Sequence, residues 1–176
     1  RAMRIINANA EKWKIDPARI GVCGTSAGGH GASTLGTHDN NISEVGDKFD
    51  KFPYKPAFMI LISPVISFDL KIAHKGSRDN LIGKNPTEEM VKQYSNENRV
   101  TKDTPPALMI HADNDRGVVP QNSVVFYQAL RSVGVSSSLH IFPFGGHQIS
   151  IENNPGSTAM WPSISLEWLK EMKFIK

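Results

Sequence analysis

Four short apolar runs, each closed by turn-forming residues and separated from the next by a stretch with helical spacing, constrain this chain more than any other feature. The first lies within Arg19–Gly24, where Ile20, Val22 and Cys23 are flanked by glycines. The second, Ala57–Ile62, is closed by Pro64. The third is Ala107–His111, entered from Pro105-Pro106, and the fourth is Leu139–Phe142. Between and around them lie helical patterns: Met3, Ile6, Ala10 and Trp13 on one face before Asp16-Pro17; the small-residue segment from Ala27 to about Thr37; and a short helix N-capped by Thr87 with Met90, Val91 and Tyr94. A further helix starts at Pro120 and Asn122, carries Val125, Ala129 and Val133, and ends at Gly134. The last runs from about Ser157 to Met172 with Trp161, Ile164, Trp168 and Met172 inward. Residues Asn40 to Lys55 read as polar and irregular, and Ser67 to Pro86 as an excursion over a site. Strands alternating with helices predict an α/β fold with a mostly parallel sheet of about four strands and helices on both faces. Right-handed crossovers then gather the loops at the carboxyl ends of the strands. At 176 residues the chain is read as a single domain, residues 1–176.

Composition narrows the function classes. Twenty Lys and Arg against seventeen Asp and Glu leave a net charge of +3 without a basic block, which argues against nucleic-acid binding. The longest apolar stretches fall far short of the ~20 residues of a spanning helix, so no membrane partner is expected. Cys23 is the single cysteine and, inside an apolar run, is expected to be a buried structural thiol. The chain opens at Arg1 within a helical pattern, with neither an initiator Met nor a signal-peptide pattern, which leads us to expect sequence upstream.

The densest chemical signal is Gly24-Thr25-Ser26-Ala27-Gly28-Gly29, a G-x-S-x-G match following a strand and opening a helix. That context resembles the nucleophile elbow of α/β-hydrolases. A tight strand-to-helix turn strains Ser26 and projects its hydroxyl, and Gly24 and Gly28 are expected to be small because side chains there would collide across the turn. The Ala27 N–H, at the helix start, is the expected oxyanion donor. A serine hydroxyl needs a base, and Gly145-Gly146-His147 after the fourth run supplies His147. The acid is expected from the loop after the third run, where Asp115 is preferred and Asp113 is the rival. The remaining histidines, His30, His38, His74, His111 and His140, show no metal-ligand spacing, so neither a metal nor a cofactor is expected.

The order of motifs resembles the C-terminal two thirds of bacterial α/β-hydrolases of the acetyl-xylan-esterase and lipase/esterase group. The resemblance runs from Asp16-Pro17-Ala18-Arg19-Ile20-Gly21-Val22 through Gly24–His30, Ser63-Pro64-Val65 and His74-Lys75-Gly76-Ser77-Arg78-Asp79-Asn80-Leu81-Ile82-Gly83. It continues through the Asp115 loop with Val119-Pro120 and Asn122-Ser123 to Phe142-Pro143 and Gly145-Gly146-His147. It implies Ser26, Asp115 and His147 as nucleophile, acid and base of a serine carboxylesterase, acting on short acyl, above all acetyl, esters of sugar hydroxyls or small synthetic esters. Two departures stand out: an extra residue, Gly117, in the acid loop, and Gln148 where the family commonly has Gly. The resemblance also places a second oxyanion donor in a loop upstream of the elbow. Two other readings stay open, a prolyl-oligopeptidase-like serine peptidase and a non-catalytic remnant or interaction domain. With four strands in the fold's usual order the Ser26 strand is a sheet edge, which predicts a homodimer that covers it.

Overall fold

The computed structural model describes residues 1–39 and 44–176. Its strands are β1 (Val22–Thr25), β2 (Met59–Ile62), β3 (Ala107–Ala112) and β4 (Ser137–Phe142), all parallel and in the order β1-β2-β3-β4. Thr25, Ile62, Ile110 and His140 stand level across the sheet, and β3 and β4 run two residues further, to Ala112 and Phe142. Every strand therefore points its carboxyl end at one rim, the place where open α/β sheets build their sites.

The helices are α1 (Ala2–Ala8), α2 (Ala10–Trp13), α3 (Ala27–Thr37), α4 (Lys75–Ile82), α5 (Glu88–Tyr94), α6 (Gln121–Ser132) and α7 (Trp161–Glu171). On one face of the sheet, Ala32 of α3 and Phe126 and Leu130 of α6 pack with Met59, Leu61 and Met109. On the other, Trp161 and Trp168 of α7 close over Ile62, Leu108, Ile110 and Phe142. Two sides buried explain why the strand sequences read as continuous apolar runs rather than alternating ones. A third cluster, Val65, Phe68, Ile82 and Val118, lies under α4 and α5.

Several expectations need correction. Cys23 is exposed, on a strand that among the described residues has a neighbour on one side only. Helix α6 turns Asn122, Ser123, Phe126 and Leu130 inward, while Val133 is exposed. The pattern of Val125, Ala129 and Val133 lies about one residue off the buried stripe, an error that a helix with apolar residues on adjoining faces invites. The stretch Ser67–Pro86 contains α4, which its Gly, Ser, Asp and Asn content disguises. His74 caps that helix by accepting the Ser77 N–H. The C-terminal helix is 3-10 over Gly156–Met160 and becomes α-helical at Trp161. The first helix breaks at Asn9, and Trp13 is about half exposed at 47%. Of the irregular segment Asn40–Lys55, residues 40–43 lie outside the described residues.

The α6 correction is testable. Phe126→Ala should destabilise the protein by about 3–5 kcal/mol, whereas Val133→Ala should stay within about 0.5 kcal/mol. Urea unfolding measures both, and equal effects would contradict the observed face.

Candidate active site

The first residue past β1 is Ser26, at φ 55° and ψ −123°, a conformation that an L-residue adopts only when its surroundings enforce it. Three backbone bonds do so. The Ser26 N–H donates to the Ile62 carbonyl at 3.0 Å, and its own carbonyl accepts from Val65 N at 3.0 Å and His30 N at 3.2 Å. Gly24 is required by space, since a Cβ there would lie 2.2 Å from the Gly28 carbonyl oxygen. Gly28 is not: a Cβ would meet open space, and the expected second collision belongs instead to Gly29, whose Cβ would approach the Pro64 Cβ to 2.7 Å. Ala27 occupies the first position of α3, where a backbone N–H has no intrahelical acceptor.

The fourth strand leads into the loop carrying His147. Its Nε2 lies 2.8 Å from the Ser26 Oγ, and its Nδ1 lies 2.8 Å from Asp115 Oδ2. A carboxylate can only accept, so Nδ1 carries the proton and Nε2 presents its lone pair to the serine hydroxyl. Asp115 is buried, and its other oxygen accepts from the N–H groups of Gly117 at 2.8 Å and Val118 at 2.9 Å. Burial pushes the carboxyl upward, but the hydrogen bonds from His147, Val118 and Gly117, with the attraction of His147, outweigh it and hold Asp115 below the ordinary carboxylate range. The extra residue of this loop is thus one of the donors that fix the acid. Asp113 is exposed, and its backbone N–H bonds to the Phe142 carbonyl. The structure brings Asp115, not Asp113, to His147.

Partners that the sequence reading missed hold these two loops. Asn114 accepts the Gly146 N–H at 2.8 Å, tying the acid loop to the histidine loop. His111 is fully buried; its Nε2–H donates to the Val118 carbonyl at 2.8 Å and its Nδ1 accepts from the Ser123 hydroxyl at 2.8 Å. Burial lowers the His111 imidazole pKa, which keeps it neutral beside Asp115. Ser63 offers a contrast with Ser26. It too has a positive φ, 43°, yet it is fully buried and its Oγ has no hydrogen-bond partner among the described residues. Among the described residues no group of three or more His, Cys, Asp or Glu could hold a metal ion.

A family model described as BD-FAE matches residues 1–130. The chain belongs to the BD-FAE family. It is 37% identical over 151 residues to an acetylxylan esterase of Xylanibacter ruminicola, covering 84% of this chain and 29% of that protein. Among solved structures, an acetyl ester-xyloside bifunctional hydrolase from Caldicellulosiruptor lactoaceticus superposes with a TM-score of 0.93 at 37% identity, covering 99% of this chain and 64% of that one. The carboxylesterase Cest-2923 from Lactobacillus plantarum gives a TM-score of 0.78 at 25% identity, with coverages of 99% and 66%. The chain therefore spans under a third of the length of the curated relative and about two thirds of these solved chains. Its fold is that of part of an α/β-hydrolase.

In this BD-FAE chain a cavity of about 340 Å³ opens beside the elbow, lined by Ala27, His30, Phe68, Ser77, Asn80 and Leu81. The excursion expected over the site does reach it, as helix α4. His30 forms one wall: its ring stacks on Phe68 at 4.8 Å, and its Nε2 donates to the Tyr94 carbonyl at 2.9 Å. His74 caps α4, and His140 meets Ser138, so neither belongs to the Ser26 cluster.

The depressed Asp115 carboxyl carries a pH signature. Its stabilising contribution is present above the unfolded value of about 4 and is lost as pH falls through the lower native value. The stability difference between the native protein and Asp115→Asn, measured by urea unfolding from pH 7 to 3, should therefore shrink below about pH 4. A difference that grows on acidification would contradict the assignment.

Proposed function

We propose that this chain is a serine esterase that hydrolyses short acyl esters, above all acetyl esters of sugar hydroxyls. The observation that carries the reading is the hydrogen-bonded series Ser26 Oγ, His147 Nε2, His147 Nδ1, Asp115 Oδ2, with both links at 2.8 Å. Relatives named as an acetylxylan esterase and an acetyl ester-xyloside hydrolase support the acyl group and the carbohydrate alcohol. Ser26 attacks the ester carbonyl while His147 Nε2 takes its proton. The tetrahedral oxyanion forms at the Ala27 N–H, aided by the start of α3. His147 then protonates the departing alcohol, and a water deprotonated by the same nitrogen releases the acid from the acyl-enzyme. Asp115, fixed by three donors, keeps the imidazole in the productive tautomer throughout.

Hydrolysis of p-nitrophenyl acetate tests the reading. Ser26→Ala should lower kcat by at least about 10⁴ and Asp115→Asn by about 10³–10⁴, while Asp113→Asn should change it by less than about 3-fold. Ser26→Ala with most of its activity would refute the nucleophile, and the reverse ranking of the aspartates would move the acid to Asp113. Turnover of a peptide amide ahead of the ester would favour the peptidase reading. A native protein without turnover would favour the non-catalytic one.

The same reading includes a cover for β1, which among the described residues pairs with β2 alone, and where Cys23 and Thr25 are exposed. A second copy in a homodimer, burying more than about 1,600 Å² in total, is the cover we propose. Sedimentation at micromolar concentration should give a dimer. An active monomer would remove the second copy and leave that role to further chain, of which the longer relatives have more.

A further inference from the structure

Two histidines face one oxygen of Asp115. His147 Nδ1 lies 2.8 Å from Oδ2, and the fully buried His111 places its Nε2 3.4 Å from the same atom. The other oxygen, Oδ1, is held by the Gly117 and Val118 amides. The oxygen that must accept from His147 is thus also the one that His111 approaches. The hydrolytic steps of Ser26, His147 and Asp115 give His111 no part, although it is among the largest fully buried side chains of the molecule.

Burying an imidazole costs free energy unless both nitrogens are satisfied, and here both are. The Val118 carbonyl, 2.8 Å from Nε2, and the Asp115 carboxylate can only accept, so the proton is on Nε2 and serves both, the carbonyl at bonding distance and the carboxylate at a longer one. Nδ1 accepts from the Ser123 hydroxyl at 2.8 Å, which holds the other edge of the ring. Ser123 is itself fully buried on α6, and the start of that helix is fixed without His111. Asn122 accepts from the Ile66 and Ser67 amides and donates to the Ile72 and Val119 carbonyls. Val118 is the link to the acid, because its carbonyl accepts from His111 while its N–H donates to Asp115 Oδ1 at 2.9 Å.

Asp115 is therefore steadied on both oxygens from one buried ring, at Oδ1 through Val118 and at Oδ2 directly. A protonated His111 would be a buried cation beside Oδ2 and would draw the carboxylate away from His147. Burial, which lowers the His111 pKa, keeps the ring in the useful form. The titratable groups facing His111 are Asp115 and, beyond it, His147. We propose that His111, aimed by Ser123, is a positioning residue for the hydrolytic reaction, holding the Asp115 carboxylate in register with His147 while touching no reacting atom. The proposal rests on the esterase reading for the reaction that it serves.

The test separates the two ring nitrogens. A glutamine amide reaches about as far as Nε2 and can donate to the Val118 carbonyl, whereas an asparagine amide reaches only about as far as Nδ1. On p-nitrophenyl acetate, His111→Asn should lower kcat at least about 10-fold with KM unchanged, and His111→Gln should recover most of that loss. The acid limb of kcat/KM should move about 0.5 unit to lower pH in His111→Asn, because a displaced carboxylate stabilises the His147 imidazolium less. Ser123→Ala removes one hydroxyl and gains helix propensity, so it should fold; it should lower kcat about 3–10-fold and move the acid limb in the same direction. Each rate is taken per folded molecule, with the folded fraction from urea unfolding. If both His111 variants unfold, Ser123→Ala decides alone. Equal rates for His111→Gln and His111→Asn, or variants that lose stability while kcat and the acid limb stay native, would make His111 a packing residue and overturn the proposal. The 15N NMR shifts of the histidine rings add a reading without substrate. His111 should carry its proton on Nε2, and the His147 Nδ1 shift should change in Ser123→Ala; failure of either would overturn the proposal. A native protein that hydrolyses no ester would end the esterase reading and leave these shifts to decide whether His111 positions Asp115.

Discussion

Ser26 keeps a backbone conformation that costs about 1–3 kcal/mol, and the surrounding structure is arranged to hold it there. Its N–H is tied to the end of β2 and its carbonyl to the residue after Pro64, so the turn cannot relax without breaking the β1–β2 register. The close approach of Gly24 to Gly28 and of Gly29 to Pro64 leaves no room for a gentler path from strand to helix. One local constraint thereby sets three things: the direction of the serine hydroxyl, the placement of the Ala27 N–H at the start of α3, and the distance at which α3 packs on the sheet.

The other partners reach Ser26 from β3 and β4 because the sheet is parallel and all four strands end at one rim. β3 delivers Asp115 and β4 delivers His147, and these loops are joined both through the carboxylate–imidazole bond and through Asn114 and the Gly146 N–H. Beneath them, buried neutral His111 links β3 to Ser123 of α6 and to the Val118 carbonyl, so the acid loop is braced from inside the molecule. Electrostatics and packing point the same way at Asp115. It is removed from water, yet the donors on His147, Val118 and Gly117 outweigh that burial and hold its carboxyl below the ordinary range.

Much of this was legible in the sequence because it depends on local order. Apolar runs closed by Pro or Gly marked the strands, and the elbow motif marked Ser26 through the steric need for Gly24. Tertiary preference between equivalent local choices was not legible. Asp113 and Asp115 differ by two residues in one polar loop, and only the burial of Asp115 under the Gly117 and Val118 amides separates them. The resemblance favoured Asp115, whereas Asn114 and His111 carried no signal beyond residue type. Cys23 misled because an apolar neighbourhood in sequence says nothing of sheet order; it is exposed on a strand that, among the described residues, pairs on one side only. Helix α4 was hidden because a residue composition that favours loops is overridden by the His74 cap and the burial of Arg78 and Ile82.

The central claim is that this elbow, through His147 and Asp115, turns Ser26 into a nucleophile, and covalent labelling tests it without presuming any substrate. The native protein would be treated with a fluorophosphonate and the adduct located by mass spectrometry. The account predicts one adduct per chain, on Ser26, with the labelling rate reduced by at least about 100-fold in His147→Ala. No adduct, an adduct on another residue such as Ser63, or an unchanged rate in His147→Ala would contradict it.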